Sequence, residues 1–138
     1  MNQQTTLEQS YLALVEFLLL AKQRLFELAA QHGMSGMQII TLLLIESPRP
    51  MSNFKHIFNC DPSNVTGIID GLQQKKLVTR YADPTDHRVK MVRLLYKGKR
   101  LRTALLHELT TSDEYLLANL TIAEASSFIT LVQKITQP

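Results

Sequence analysis

The stretch from Asp61 to Gln74 carries the strongest local folding signals in this chain. Asp61 is suited to cap a helix N-terminus, and Pro62 to occupy the first helical position, where no amide hydrogen is needed. The apolar residues that follow recur at spacings of three and four, which places them on one helical face. They are Val65, Ile68, Ile69 and Leu72. This stretch therefore predicts a helix that is buried on one side and exposed on the other.

A strand–turn–strand pattern follows this helix. Residues 77–82 and 89–94 are strand-like in composition, and residues 83–86 read Asp-Pro-Thr-Asp, a turn sequence. Ahead of both, Ser52 is suited to cap a short helix. A short helix, a turn, a capped helix and a hairpin, in this order, predict a winged helix-turn-helix in which the hairpin is the wing.

Longer helices are predicted on both sides of this motif. Apolar residues recur at helical spacing from Leu7 to near Gly33, and residues 35–38 form a capping-box pattern that opens a buried helix over residues 37–45. Residues 96–118 are again helical in pattern. A second capping box at residues 121–124 opens a last helix. The fold class is therefore mainly α with a small β wing.

One domain is expected to cover residues 1–138. Its winged helix-turn-helix spans residues 35–98, and helical parts over residues 5–33 and 99–138 flank that motif. The apolar surface of the terminal helices exceeds what so small a core can bury. We therefore expect these helices to pack against a second copy of the chain.

The positive charge is concentrated in the middle of the chain. Residues 61–102 contain ten Lys or Arg and four Asp, a net charge of +6, whereas residues 1–60 are neutral and residues 103–138 carry −3. Such a block is typical of a surface that binds a polyanion. Charge alone leaves a second interpretation open, a basic surface that faces only solvent.

Several classes of protein are disfavoured. The apolar run from Leu12 to Ala21 is interrupted by Glu16 and is too short to span a bilayer, so we expect a soluble, cytoplasmic protein without membrane contact. The four histidines show no strong metal spacing, and no phosphate loop or nucleophile motif is present. We therefore expect no metal, no cofactor and no enzymatic activity. The single cysteine, Cys60, is either a small buried apolar residue or a redox switch.

Short motifs run through the predicted recognition helix and wing. They are Val65-Thr66, Asp70-x-Leu72, Leu77-Val78-x-Arg80, Asp83-Pro84-Thr85-Asp86-His87-Arg88, and Leu94 with Gly98. Together they resemble the MarR family (multiple antibiotic resistance regulators), and weaker similarity in helix order covers nearly the whole chain. The turn motif that ends in Asp-His-Arg is the most specific part of the resemblance.

The resemblance implies a homodimeric transcription regulator, expected to be a repressor, that binds a pseudo-palindromic operator in double-stranded DNA. Each subunit would place one recognition helix in a major groove and one wing against a minor groove. A small apolar or phenolic effector would bind between the terminal helices and the winged part. Candidates to line that crevice are Phe17, Met37, Ile40 and Met91, which are otherwise plain core residues.

The candidate DNA contacts lie in the recognition helix, at its end and in the wing. They are Pro62, Ser63, Asn64, Thr66, Gly67, Lys75, Lys76, Arg80, Asp86, His87, Arg88 and Lys90. An asparagine can read adenine, and the lysines are suited to phosphates. Arg88 is suited to a narrow minor groove, with Asp86 holding its guanidinium in a bidentate pair. The alternative for that pair is an ordinary surface ion pair.

Two features keep a second function open. Lys55 replaces the small alanine that is usual in the resembling family, and Gly67 occupies a position that is often arginine. A winged-helix module that binds proteins and has lost sequence-specific DNA binding is the alternative. Gly67 and Gly71 have two interpretations each, close approach to DNA or a weakly selected surface, since glycine is unfavourable inside a helix.

Overall fold

The computed structural model describes residues 2–58, 62–111 and 116–137, and for Pro62 and Ser63 the backbone alone. The chain forms two compact units, Met1–Leu106 and His107–Pro138. The expected single-domain organisation stays a prediction. The elements, in chain order, are α1 (Gln3–Gln31), α2 (Gly36–Leu44), β1 (Arg49–Pro50), α3 (Met51–Phe58), α4 (Pro62–Gln74), β2 (Val78–Ala82), β3 (Lys90–Leu94), α5 (Tyr96–Thr111) and α6 (Ile122–Thr136).

The first helix is longer than its apolar pattern indicates. α1 begins at Gln3 because the side chain of Asn2 accepts the backbone N–H of Thr5 at 2.8 Å. It ends where predicted, since Gly33 adopts the left-handed conformation with φ of 64°. Only Leu28 and Ala29 of this helix are buried, so most of its apolar surface remains exposed.

The predicted capping box at the start of α2 is confirmed. Gln38 donates its backbone N–H to the Ser35 hydroxyl at 3.1 Å, and its side-chain oxygen accepts the Ser35 N–H at 3.0 Å. Ile39 and Leu42 on this helix are fully buried. At the other end, Arg102 of α5 donates to the Leu43 carbonyl at 2.9 Å and satisfies one of the last carbonyls of α2.

The sequence pattern did not reveal β1. Arg49 pairs with Val92 and Pro50 with Met91, which gives a three-stranded antiparallel sheet of order β1-β3-β2. The chain passes from this strand straight into α3 at Met51, so the prediction that Ser52 caps α3 is wrong. Two residues that pair with a strand forty positions away leave no periodic signal, and Pro at a sheet edge needs no donor.

The predicted helix and hairpin around the core are confirmed. Val65, Ile69 and Leu72 of α4 are at most 3% exposed, as are Val78 and Val92 of the hairpin. Ile68, the fourth residue of the predicted stripe, is half-buried. Each strand begins one residue later than its pattern indicates, and Val78 pairs with Leu94 at the base of the hairpin. The apolar stripe of α4 therefore forms one wall of the core and leaves its other face exposed.

The second unit begins within the end of α5. This helix ends at Thr111 and residues 116–119 form a turn, so the predicted helix is wrong over residues 116–118. The second capping box is confirmed, with Thr121 donating its N–H to Glu124 at 2.8 Å and accepting the Glu124 N–H at 3.2 Å. α6 has no buried residue among those described.

A close backbone contact at Gly98 generates a prediction about stability. A Cβ atom at Gly98 would collide with the Leu77 carbonyl, whereas one at Gly67 would meet nothing within 4 Å. Gly98→Ala should therefore lower the free energy of unfolding by about 1–3 kcal/mol through overpacking. Gly67→Ala, the matched control, should raise it by up to ~1 kcal/mol through helix propensity. Urea unfolding of both variants tests this, and equal midpoints would contradict it.

Candidate nucleic-acid interface

The outer face of α4 presents the residues expected to meet DNA. The helix begins at Pro62, as predicted, while Asp61 and its cap lie outside the described residues. Asn64, Thr66 and Gly67 are exposed, on the opposite side from the buried stripe. Ser63 lies in the first turn, where a recognition helix contacts base edges and phosphates.

The two glycines of α4 have different explanations. A Cβ atom at Gly71 would collide with the side-chain amide of Gln38, which the capping box holds in place. Gly71 therefore leaves room for the Gln38 side chain where α2 and α4 come together. Within the described part of the chain, no atom lies within 4 Å of a Cβ atom built at Gly67, so packing among these residues does not explain that glycine.

The tip of the wing has a defined geometry. The Arg88 guanidinium donates from Nε to Asp86 Oδ1 at 3.0 Å and from Nη2 to Oδ2 at 3.2 Å, and the Arg88 N–H also binds Oδ1. The predicted bidentate pair is therefore present. The Arg88 side chain is nevertheless 91% exposed, so the pair leaves it open to a ligand. His87 beside it is exposed as well.

Hydrogen bonds keep both carboxylates of the tip ionised. The backbone N–H and the hydroxyl of Thr85 lower the pKa of Asp83, and the Arg88 side chain and N–H lower the pKa of Asp86. A lowered pKa in the folded state adds stability that is complete above the unfolded value and is lost as pH falls through the folded value. The order of the tip should therefore persist throughout the neutral range.

The side chain of Arg80 is engaged within the protein. Its Nη2 lies 2.5 Å from Asp70 Oδ1, and its Nε donates to Gln73 Oε1 at 3.0 Å. These contacts join β2 to the outer side of α4 and fix the wing relative to that helix. Sequence reasoning missed this role, because the partners are seven and ten positions away across a change of secondary structure. A phosphate contact by Arg80 stays a prediction.

The remaining basic candidates lie at both ends of the hairpin. Lys75 and Lys76 follow α4 and are exposed, and Lys76 has φ of 60°. Lys90 is exposed at the start of β3, where it pairs with Ala82 near the tip. The hairpin therefore divides the basic block into one group near its tip and one near its base.

The four effector candidates are half-buried and lie on three elements. Phe17 is on α1, Met37 and Ile40 are on α2, and Met91 is on β3. An apolar groove of about 360 Å³ lies elsewhere, within the second unit. Its lining consists of Leu120, Ala123, Glu124, Ser127, Phe128 and Leu131. The effector crevice stays a prediction.

Other expectations concern metals, membranes and the cysteine. Within residues 2–58, 62–111 and 116–137, no three His, Cys, Asp or Glu side chains are grouped as metal ligands would be. No helix in the described part of the chain combines the length and apolar character of a membrane span. Cys60, with both of its interpretations, lies outside the described residues.

Comparison with known proteins agrees with this geometry. The MarR family profile matches residues 37–90. The regulator BldR from Sulfolobus solfataricus superposes with a TM-score of 0.76 at 19% identity, over 98% of this chain and 99% of BldR. A mutant of MarR from E. coli in complex with operator DNA gives 0.63 at 24% identity, over 90% and 91% of the two chains. A mutant of MepR from S. aureus bound to an oligodeoxyribonucleotide gives 0.60 at 21%, over 91% and 94%. A search of curated proteins by sequence found no match.

The matched segment contains α2, α3, α4 and most of the hairpin, so the family signal coincides with the helix-turn-helix and wing. The solved structures share the fold across nearly the entire chain. The family consists of transcription regulators and not of enzymes. Residues 37–90 thus match the MarR family, and the chain has the winged-helix fold of the MarR-type regulators.

Proposed function

We propose that this chain is a homodimeric transcription regulator, a repressor, that binds a pseudo-palindromic operator in double-stranded DNA. The observation that carries this proposal is the Asp86–Arg88 pair at the wing tip. A carboxylate fixes the direction of a guanidinium that is itself 91% exposed. A pre-oriented and accessible arginine is suited to a narrow minor groove, where the negative potential is strongest.

The position of α4 supports the same function. Asn64, Thr66 and the first turn at Ser63 lie on its exposed face, and Arg80 ties the wing to this helix through Asp70. A recognition helix and a wing held in a fixed relation can enter neighbouring grooves of one duplex. Ion pairing with phosphates would supply salt-dependent affinity, and Asn64 or Thr66 would contribute contacts to base edges.

The exposed apolar residues of the terminal helices support a dimer. Leu7, Tyr11, Leu14 and Leu18 recur at helical spacing along α1 and are each more than half exposed. On α6, Ile129, Leu131 and Ile135 are also more than half exposed. Apolar stripes of this length normally pack against another chain.

A small apolar or phenolic effector that binds next to Phe17, Met37, Ile40 and Met91 would release the dimer from DNA.

The dimer should be the state present at micromolar concentration. Sedimentation should give twice the subunit mass of 15.7 kDa. Leu18→Glu should shift the protein towards the monomer, because it places a charge in the apolar stripe of α1. Gln9→Glu, an exposed polar position on the same helix, is the control and should remain dimeric. A mass of 15.7 kDa for the unaltered protein across that range would contradict the dimer.

Arg88→Ala should weaken operator binding more than Lys90→Ala, although each removes one positive charge from the same hairpin. Loss of an oriented bidentate donor should cost ~1–3 kcal/mol of binding free energy. Lys90→Ala should weaken binding to all DNA sequences by the same factor. It should also lower, by about one, the slope of the logarithm of the binding constant against the logarithm of salt concentration. Fluorescence anisotropy with a duplex selected by the protein from a random-sequence pool measures both.

Asp86→Ala separates orientation from charge in the same assay. Removal of a negative charge alone would strengthen DNA binding, whereas loss of the carboxylate that holds Arg88 would weaken it. We expect the second result. Tighter binding by Asp86→Ala would refute the orienting role and leave Arg88 as one basic residue among several. Absence of salt-dependent duplex binding by the unaltered protein would instead favour the protein-interaction module.

A further inference from the structure

Four exposed lysines lie at the base of the hairpin, where α4 ends and α5 begins. We name Lys75, Lys76, Lys97 and Lys99 the base cluster. Lys97 Nζ donates to the Lys75 carbonyl at 3.2 Å, and the Leu95 N–H donates to the Leu77 carbonyl at 2.9 Å. Gly98 allows the first turn of α5 to approach Leu77 closely. The two segments that carry these pairs of lysines are therefore neighbours in the fold.

No acidic side chain of the described residues pairs with these lysines. The ion pairs of the described residues join Arg24 to Glu27, Arg80 to Asp70 and Arg88 to Asp86. All four lysines of the base cluster are exposed, and none takes part in an ion pair within residues 2–58, 62–111 and 116–137. Like charges on neighbouring segments repel, so the cluster is unfavourable for the isolated protein.

Lys76 adds a cost of its own. The N–H of Lys76 donates to the Gln73 carbonyl at 2.9 Å and that of Leu77 to the Leu72 carbonyl at 3.0 Å, which closes the end of α4. This closure gives Lys76 its φ of 60°, a conformation that favours glycine. Among the described residues, the other positive φ belongs to Gly33. A glycine would therefore serve the backbone at position 76 better than lysine does.

Lys97 and Lys99 lie at the unfavourable end of a helix. Both are near the N-terminus of α5, where the helix dipole favours anions, and the first turn has no acidic residue. Lys97 is partly explained by its bond to the Lys75 carbonyl at the end of α4. The ammonium group of Lys99 has no such partner among the residues that the structure describes. Three effects therefore disfavour the lysines of the base cluster in the isolated protein. They are repulsion between the positive charges, the backbone conformation of Lys76 and the dipole of α5.

We infer that the base cluster binds the phosphate backbone of double-stranded DNA without regard to sequence, separately from the wing tip. This inference rests on the proposed function. The base and tip are separated by the five residues of each strand, about 15 Å at the usual rise. A duplex carries one negative charge per ~1.7 Å of its axis, so it can meet both positive groups at once. Contact with phosphates would offset all three local costs.

The test compares Lys76→Gly and Lys99→Gln with Lys134→Gln, which removes one charge from an exposed helical position on α6. Binding is measured by anisotropy across a salt series, with the selected duplex and with a scrambled duplex of equal length. Each base-cluster variant should lower the slope of log affinity against log salt concentration by about one. It should also weaken binding to the two duplexes by the same factor. Lys76→Gly should also unfold at a higher urea concentration than the unaltered protein. Lys134→Gln should change neither affinity nor slope.

Two results would overturn the inference while the proposed function stands. Unchanged slopes and affinities for both base-cluster variants would show that the cluster does not contact DNA, and would favour an acidic protein partner. Weakening confined to the selected duplex would show that these lysines contribute to sequence recognition. If the unaltered protein binds neither duplex, the proposed function fails, and the inference fails with it.

Discussion

The contact between the backbone at Leu77 and the first turn of α5 is the constraint on which the winged part depends. The Leu77 carbonyl accepts the Leu95 N–H at 2.9 Å, and the Leu77 N–H closes α4 through the Leu72 carbonyl. Gly98 leaves room for this approach, since a side chain there would collide with the same carbonyl. One residue thus joins the end of α4, the start of β2 and the start of α5. Arg80 then fixes the wing to α4 through Asp70, so the exposed face of α4 and the wing tip have a defined relation.

Features that depend on local chemistry could be predicted from the sequence. Both capping boxes, the buried stripe of α4, the hairpin and the Asp86–Arg88 pair involve residues close together in the chain, where spacing decides which side chains meet. Features that depend on distant partners could not. β1 exists because two residues reach β3, and the space at Gly71 is filled by Gln38 from another helix. The engagement of Arg80 escaped prediction for the same reason, although its place in the basic segment was evident.

The hairpin separates the basic residues of the central segment into two groups with different surroundings, one at its tip and one at its base. At its tip, Asp83 and Asp86 are held ionised by hydrogen bonds and order the turn around an exposed Arg88. At its base lie the two lysines that follow α4 and two lysines of α5, none of which has an acidic partner among the described residues. The first arrangement is suited to one direction of approach in a groove, and the second to a diffuse attraction to phosphates. A count of charges along the sequence describes both groups as one block and does not distinguish these two arrangements.

The most direct test of the account is a footprint of the unaltered protein on duplexes that it selects from a random-sequence pool. A dimer with two recognition helices should select a near-palindrome and protect two half-sites whose centres are about 10–10.5 base pairs apart. Protection should disappear as salt concentration rises, because phosphate contacts release counterions. Selection of no common sequence, or protection of one asymmetric half-site, would contradict the account.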